Sequence, residues 1–276
     1  MKETKKFISP GGWFSIEYPG DFFEFEDEEG SFLFYNPNRW TGNLRASASK
    51  DASPRYAENV MKEELRQYPG AKKVLMGRWE CISSVENFTE EGKDYVCQTV
   101  VCGYQNTVVE LSFTSPKGFP YMVLEQVVAS LEIRDERKRY PKEYIPVRVW
   151  EIHQIDEAYD WVTKTLKKQY KKDFTGVYQD IKLLQQCISD GLFADGQRET
   201  WEAIGLTFGV ILTNEMDGME WVTCIRGNKE YPSLHFNGTS FYMDPMILVW
   251  DKKRNGEPCV LEEEFARIKA EIEALL

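Results

Sequence analysis

The sequence predicts a soluble α+β protein with two domains, and three observations support this. The chain has 276 residues, which is more than a single hydrophobic core usually serves. Strand patterns fill most of its first half, whereas the second half begins with helical patterns and ends in a small sheet and a helix. Between the halves, residues 134–146 carry eight charges and two prolines in 13 positions. We therefore predict one domain at 1–133, a charged linker at 134–146 and a second domain at 147–276.

The first half is predicted to be an antiparallel sheet flanked by helices. Its first strand, Phe14–Tyr18, alternates apolar and polar residues and stops at a Pro-Gly turn. Ser53-Pro54 starts a helix, because Ser is a good N-cap and Pro fits the first helical position. A second helix is predicted at 121–131 from apolar residues on one face. The predicted strands are 14–18, 23–26, 32–35, 44–49, 74–79, 82–88, 95–103 and 108–114.

The second half is predicted to be a helical segment followed by a small antiparallel sheet. Apolar stripes at helical spacing run through 152–170, 177–188, 201–212 and 261–275. Strands are predicted at 220–226, 231–236, 239–243 and 246–250, with a hairpin turn at Asn237-Gly238. Gly205 and Gly209 form a G-x-x-x-G pattern, which indicates close packing of that helix against a neighbour.

Charge and termini limit the partners and the location that the sequence favours. The net charge is −11, and both halves are acidic, so we expect neither nucleic acid nor an anionic membrane as partner. A protein with a basic surface is the more natural partner. The N-terminus lacks the apolar segment of a signal peptide, and the most apolar stretch, 203–212, is about half the ~20 residues of a membrane span. We therefore expect a cytoplasmic protein; its oligomeric state is left open.

The residues offer little support for metal or cofactor chemistry. The six cysteines form no C-x-x-C pair and are expected to be reduced, with three disulfides as the alternative in an exported chain. His153 and His235 are the only histidines, and neither has a second His or a Cys within five residues, so we predict no zinc site. Glycine-rich nucleotide motifs are absent from the sequence, and no cofactor is expected.

Thiol chemistry is the one catalytic possibility that the sequence leaves open. If the strands on either side of Gly227–Glu230 form a hairpin, Arg226 faces Tyr231, and Cys224 and His235 fall diagonally on one face. A thiolate–imidazole pair needs that proximity. The alternative is that both are ordinary residues of a sheet core, since a catalytic cysteine usually lies in a loop or at a helix N-terminus.

Two segments of the first half are candidates for binding a partner. An acidic hairpin tip contains Glu26, Asp27, Glu28 and Glu29, although charge at a sheet edge also protects it against aggregation. Arg39 and Trp40 lie in the turn-rich segment Asn36–Asn43, and exposed Arg and Trp are good interface anchors. For Trp40, packing beneath the sheet is an equally good interpretation.

The segment Gly12-Trp13-Phe14-Ser15-Ile16-Glu17-Tyr18-Pro19-Gly20-Asp21-Phe22 resembles the opening of PsbP-like domains. Those domains begin with an aromatic–Ser–Ile–x–Tyr–Pro strand and turn, and the resemblance covers residues 5–133. The whole chain resembles an uncharacterised family of Bacteroides-type bacteria that joins such a domain to a second domain of unknown function. The resemblance implies an α/β/α sandwich that acts as a binding or assembly module and carries no transferable catalytic residues. Some soluble relatives are thought to be immunity proteins against toxins.

These observations lead to one functional hypothesis and one alternative. The hypothesis is a non-catalytic protein-binding module of the immunity or assembly type. The alternative is a thiol-dependent hydrolase or transferase in the second domain, using Cys224 and His235. The fold alone does not decide between the hypothesis and the alternative, because function depends on the residues of the site.

Overall fold

A computed structural model describes residues 3–25, 30–119, 122–135, 137–192 and 197–276. Within those ranges the chain forms seven α-helices and three antiparallel sheets, which confirms the predicted α+β class. The chain divides into two compact units. Unit 1 is Met1–Ile145 with Arg226–Lys229, and unit 2 is Pro146–Ile225 with Glu230–Leu276.

The elements up to residue 146 are mostly strands. In chain order they are β1 (Thr4–Ile8), β2 (Phe14–Pro19), β3 (Phe23–Phe25), β4 (Ser31–Tyr35), β5 (Asn43–Lys50), α1 (Tyr56–Gln67), β6 (Lys72–Met76), β7 (Trp79–Glu90), β8 (Lys93–Tyr104), β9 (Thr107–Pro116), α2 (Met122–Ser130), β10 (Glu132–Ile133) and β11 (Glu143–Pro146). A seven-stranded sheet has the order β3-β4-β5-β9-β8-β7-β6, and a small sheet has the order β1-β2-β10.

The two faces of the seven-stranded sheet are covered to different extents. On one face, Leu44, Val100 and Leu111 are fully buried in a core that includes α2 and the small sheet. On the opposite face, α1 packs its Ala57 against Val101 and other buried residues of the central strands. Further along the same strands, the positions on the α1 side are only partly buried. The predicted sheet with flanking helices is therefore confirmed, and one of its faces is only partly covered.

Unit 2 has a helical core and a smaller sheet. Its elements are α3 (Val149–Tyr170), α4 (Ile181–Ser189), α5 (Arg198–Glu215), β12 (Met219–Arg226), β13 (Lys229–Phe236), β14 (Tyr242–Met243), α6 (Pro245–Asn255) and α7 (Leu261–Glu273). The central helix is α5, whose Trp201, Ile204, Phe208 and Ile211 lie in the core of this unit. Among the described helices, none is both long and apolar enough to cross a membrane.

The strand predicted at Met246–Trp250 is wrong, because this stretch lies inside α6. Pro245 occupies the first turn of the helix, and Gly256 ends it in the left-handed conformation. Met246 and Val249 are buried three residues apart, so one helical face carries the apolar residues. A short apolar run does not distinguish a strand from a buried helix.

Other departures concern short strands and turns. The strand predicted at 74–79 is broken at Gly77, which has φ +57°, so that Trp79 begins β7. The strand predicted at 239–243 is limited to β14. The strands β1, β10 and β11 were not predicted. The last of these lies in the charged segment 134–146, where Arg134 is buried and pairs with Glu143 at 2.5 Å.

Gly205 and Gly209 on α5 make the close approach that their spacing indicates. A Cβ on Gly205 would lie 2.4 Å from the carbonyl oxygen of Pro245, and one on Gly209 would lie 2.4 Å from Cη2 of Trp221. Real Cβ atoms do not approach other atoms so closely, so an alanine requires the neighbouring backbone or ring to move.

We predict that Gly205→Ala destabilises the protein by about 1–3 kcal/mol through overpacking. The gain in helix propensity, about 1 kcal/mol, acts in the opposite direction and is smaller than the expected steric cost. Urea denaturation followed by circular dichroism measures the difference. A variant as stable as the wild type would show that α5 and α6 are packed less closely than described.

Candidate functional site

The partly covered face of the seven-stranded sheet is the candidate site, and we call its uncovered part the open face. Its members are the alternate residues of β4, β5, β7, β8 and β9 that lie on the α1 side, beyond α1. They are Leu33, Tyr35, Asn43, Arg45, Ser84, Glu86, Phe88, Tyr95, Cys97, Thr99, Ser112 and Thr114, all half-buried or exposed. Small polar side chains occupy the middle of this surface.

Aromatic side chains lie at both ends of the open face. At one end Trp40 is 42% exposed and sets its ring edge against Tyr95, with ring centroids 5.9 Å apart. Tyr95 in turn stacks on Phe88 at 5.5 Å. At the other end Phe25 stacks on Tyr35 at 3.9 Å. Amphipathic rings that are partly exposed on a sheet are well suited to contact a partner.

The loop that carries Trp40 is held in place by local interactions. The side-chain oxygen of Asn36 accepts hydrogen bonds from the backbone N–H groups of Asn38, at 2.9 Å, and Arg39, at 3.1 Å. Gly42 closes the loop with φ +137°, and a Cβ there would lie 2.6 Å from Cζ of Phe113. Only glycine fits this position, where the loop turns back into β5. The loop places Trp40 against Tyr95 on the α1 side of the sheet.

These observations settle where the predicted binding residues lie. Trp40 does not pack beneath the sheet but sits on the open face, and Arg39 beside it is exposed. The acidic tip, Glu26, Asp27, Glu28 and Glu29, lies outside the described residues. The sequence signal for the open face itself is weak, because it depends on how far a single helix covers the sheet.

Cys224 and His235 do not form the diagonal pair that a turn at Gly227–Glu230 would allow. Cys224 is fully buried, and its thiol lies beside the Tyr231 hydroxyl, whose pKa is raised by burial and by this contact. His235 Nε2 is 3.1 Å from the Thr239 carbonyl oxygen, and Nδ1 is 3.6 Å from Glu220 Oε1. Positions 220 and 224 are four residues apart on β12, about 13 Å at the usual rise per residue, which separates the imidazole from the thiol.

Two of the other cysteines, Cys187 and Cys259, are also poor nucleophiles. All six cysteines lie in the described ranges, and none of them forms a disulfide. Burial raises the pKa of Cys187 and of Cys259 to about 11, so the thiolate form of each is disfavoured. The thiols of Cys81 and Cys102 contact each other across β7 and β8. This contact lowers the pKa of Cys81, and together with burial it raises the pKa of Cys102. In the part of the chain that the structure describes, no group of three His, Cys, Asp or Glu side chains is placed to hold a metal ion.

Sequence analysis missed a buried polar group in unit 2, the Arg148 cluster, which consists of Arg148, Glu151, Thr223 and Glu230. Arg148 Nε donates to Glu230 Oε2 at 2.8 Å, and its backbone N–H donates to Thr223 Oγ1 at 3.1 Å. The Thr223 hydroxyl donates to the Glu151 carboxylate. The other oxygen of that carboxylate, Oε1, is buried without a hydrogen-bond partner among the described residues.

Burial dominates the electrostatics of this cluster. It raises the pKa of Glu151 to about 7, against the lowering effects of the Thr223 hydroxyl and the Arg148 charge. A carboxyl group with such a pKa is able to exchange protons near neutral pH. Glu151 is only 2% exposed, however, and Thr223 is fully buried, so the cluster joins the start of α3 to β12 and β13 rather than facing a substrate.

We predict that Glu151→Gln makes the protein more stable than wild type at pH 8 but not at pH 4. The pKa of Glu151 is raised in the folded state above its ordinary 4.5, so the protonated form contributes its full stability below pH 4.5. This contribution is lost as the pH rises through about 7. The raised pKa of Glu151 corresponds to a loss of about 3 kcal/mol in the free energy of unfolding. The glutamine side chain of the variant cannot ionise, so the variant does not lose this stability.

Urea denaturation from pH 4 to pH 8.5 tests this difference. Glu157→Gln, at an exposed position of the same helix, is the control and is expected to follow the wild type across the range. A constant difference between Glu151→Gln and wild type at all pH values would refute the raised pKa.

Comparison with known proteins gives two family matches. Residues 2–156 match the family described as domain of unknown function DUF3805, and residues 180–265 match domain of unknown function DUF3806. Among curated proteins, none matches the chain. Neither family description includes a catalytic function, and nothing in the matches favours the thiol-enzyme alternative.

Solved structures include one strong match and two weak ones. A Bacteroides thetaiotaomicron VPI-5482 protein is 47% identical, with a TM-score of 0.89, covering 95% of this chain and 97% of its own. CyanoP, the cyanobacterial PsbP of Synechocystis sp. PCC 6803, is 11% identical with a TM-score of 0.28, covering 49% of this chain and 94% of its own. LpqN of Mycobacterium tuberculosis, involved in cell envelope biogenesis, is 16% identical with a TM-score of 0.32, covering 49% and 93%.

The last two scores are too low to support any argument about this chain beyond a weak likeness to PsbP over half its length. The first match and the two family matches confirm the predicted resemblance to a Bacteroides-type family that joins two domains of unknown function. The DUF3805 match spans more than half of the sequence. The chain therefore belongs to the DUF3805 family, with a DUF3806 domain in its second half.

Proposed function

We propose that the chain is a non-catalytic protein-binding module of the immunity or assembly type, and that the open face is its binding surface. The observation that carries this proposal is the position of Trp40. Its ring is held by a constrained loop above the sheet, is supported by Tyr95 and stays 42% exposed. A tryptophan packed in this way loses little conformational entropy on binding.

The composition of the open face also supports binding. Ser84, Thr99, Ser112 and Thr114 present hydroxyl groups between the aromatic ends, and Arg45 adds an exposed guanidinium. Aromatic anchors surrounded by adaptable polar groups are typical of protein–protein interfaces. A substrate-processing site would instead need a nucleophile or an acid–base pair, and Cys224 and His235 do not meet.

The partner we propose is a protein with a basic surface. The chain has a net charge of −11, so its field attracts positively charged proteins and repels acidic ones over several ångströms. Such a field mainly raises the association rate, whereas the aromatic contacts determine how long the complex lasts. Binding is therefore expected to weaken with salt without being abolished by it.

Affinity capture with matched variants tests this proposal. The bait is the full chain, incubated with lysate of the organism that encodes it, as wild type, as Trp40→Ala/Tyr95→Ser and as Trp150→Ala. Trp150 is the control because it is 52% exposed and lies on α3 in unit 2. We expect a protein of positive net charge that is retained by wild type and Trp150→Ala and lost by the double variant. The captured protein is then purified and its affinity is measured, with an expected loss of at least about tenfold for the double variant.

Several results would contradict the proposal. They are equal retention by the double variant, loss of binding in Trp150→Ala, and capture of no protein by the wild type. Analytical ultracentrifugation of the chain alone covers a further outcome, since dimerisation abolished by Trp40→Ala/Tyr95→Ser would assign the open face to a second copy of the chain instead.

A further inference from the structure

A concave region of unit 1 lies apart from the open face. It is a cleft of about 390 Å³ where the end of β5, the turn between β8 and β9 and the segment after β10 come together. This volume is within the range of small-molecule sites. Its wall contains the apolar side chain of Ile133 and the polar groups of Gln105, Asn106 and Thr107.

The described residues that line this cleft carry an excess of positive charge. Among the described residues that line it, Lys50, Arg134 and Arg137 are cationic, and Asp135 is the one carboxylate. The chain as a whole has 45 acidic and 34 basic residues, so the balance in the cleft is the reverse of that of the protein. A cationic concavity in an acidic protein concentrates anions where the rest of the surface repels them.

Arg134 is the best-defined of these cations. It is 6% exposed, and its guanidinium lies 3.7 Å from the ring centroid of Tyr140 and donates from Nη2 to Glu143. The Nε atom of the same guanidinium is buried and has no hydrogen-bond partner in the described structure. An unsatisfied buried N–H of a cation costs free energy, because the charge has lost its hydration without gaining a full set of acceptors.

Glu143 does not cancel this charge alone, because it also accepts from Lys6 at 2.7 Å. Arg137 pairs with Asp135 through two contacts of 3.0 Å, and both residues are exposed, so water already weakens that pair. An anion entering the cleft therefore meets the buried cation Arg134 and the exposed cation Arg137. Lys50, whose ammonium lies 4.8 Å from the ring of Trp13, supplies the third positive charge.

We infer that this cleft is a binding site for a small organic anion, whose carboxylate or phosphate group lies among Lys50, Arg134 and Arg137. The apolar part of such a ligand would contact Ile133. The site is separate from the open face, so this inference does not depend on the proposed function.

Isothermal titration calorimetry with inorganic phosphate and with succinate, at constant ionic strength, tests the inference on the full chain. We expect at least one of the two to bind, and Lys50→Gln/Arg137→Gln to weaken binding at least tenfold. Arg66→Gln/Lys93→Gln is the control, because it removes the same charge from exposed positions outside the cleft and is expected to bind like the wild type. Binding of phosphate alone indicates a phosphate ester as ligand, and binding of succinate alone indicates a carboxylate.

A second measurement uses the unmutated protein. Phenylglyoxal reacts with arginine side chains, and mass spectrometry locates the adducts. The ligand is expected to slow the modification of Arg137 and to leave that of Arg66 unchanged. Absence of binding by both phosphate and succinate would overturn the inference, and so would equal weakening in the two double variants.

Discussion

The seven-stranded sheet of unit 1 has two faces, and the structure of this unit depends on how far apolar residues of other elements cover each of them. The helix α2 and the small sheet pack against one face and bury Leu44, Val100 and Leu111 completely. On the other face α1 covers part of the surface, where Val101 lies. Most side chains beyond α1 are aromatic or small and polar, so they tolerate partial exposure. The open face is a consequence of this unequal covering.

Buried charges have a second structural role. Arg134 in unit 1 pairs with Glu143, and Arg148 in unit 2 pairs with Glu230. Buried ion pairs gain little net stability because both charges lose their hydration, but breaking one leaves an uncompensated charge and is costly. The Arg148–Glu230 pair joins residues 82 apart in the sequence, and the Arg134–Glu143 pair holds together residues nine apart. The composition of residues 134–146 is typical of a solvated spacer, yet two of its charges, Arg134 and Glu143, form such a buried pair.

Sequence patterns predicted the elements whose residues follow one period over several turns or pairs. The stripes of α3, α5 and α7 and the alternation of β2 are of this kind, and the glycines of α5 indicated its close packing. Met246–Trp250 was misassigned because five apolar residues fit either period and the tertiary contact with α5 decides the outcome. Cys224 and His235 would be neighbours if the turn between β12 and β13 spanned Gly227–Glu230, but β13 begins at Lys229, and an offset of four residues separates them. The open face and the Arg148 cluster depend on long-range packing, which no local pattern encodes.

The claim that the open face binds a protein is tested most directly by photo-crosslinking at single positions. Benzoyl-phenylalanine is placed at position 40, at position 150 of α3 or at position 75, where Leu75 on the edge strand β6 is 75% exposed. The chain is then irradiated in lysate of the organism that encodes it. We predict a discrete crosslinked protein from position 40 and none from positions 75 and 150. Crosslinks from position 75 or 150 in the absence of any from position 40 would contradict the assignment of the open face as the binding surface.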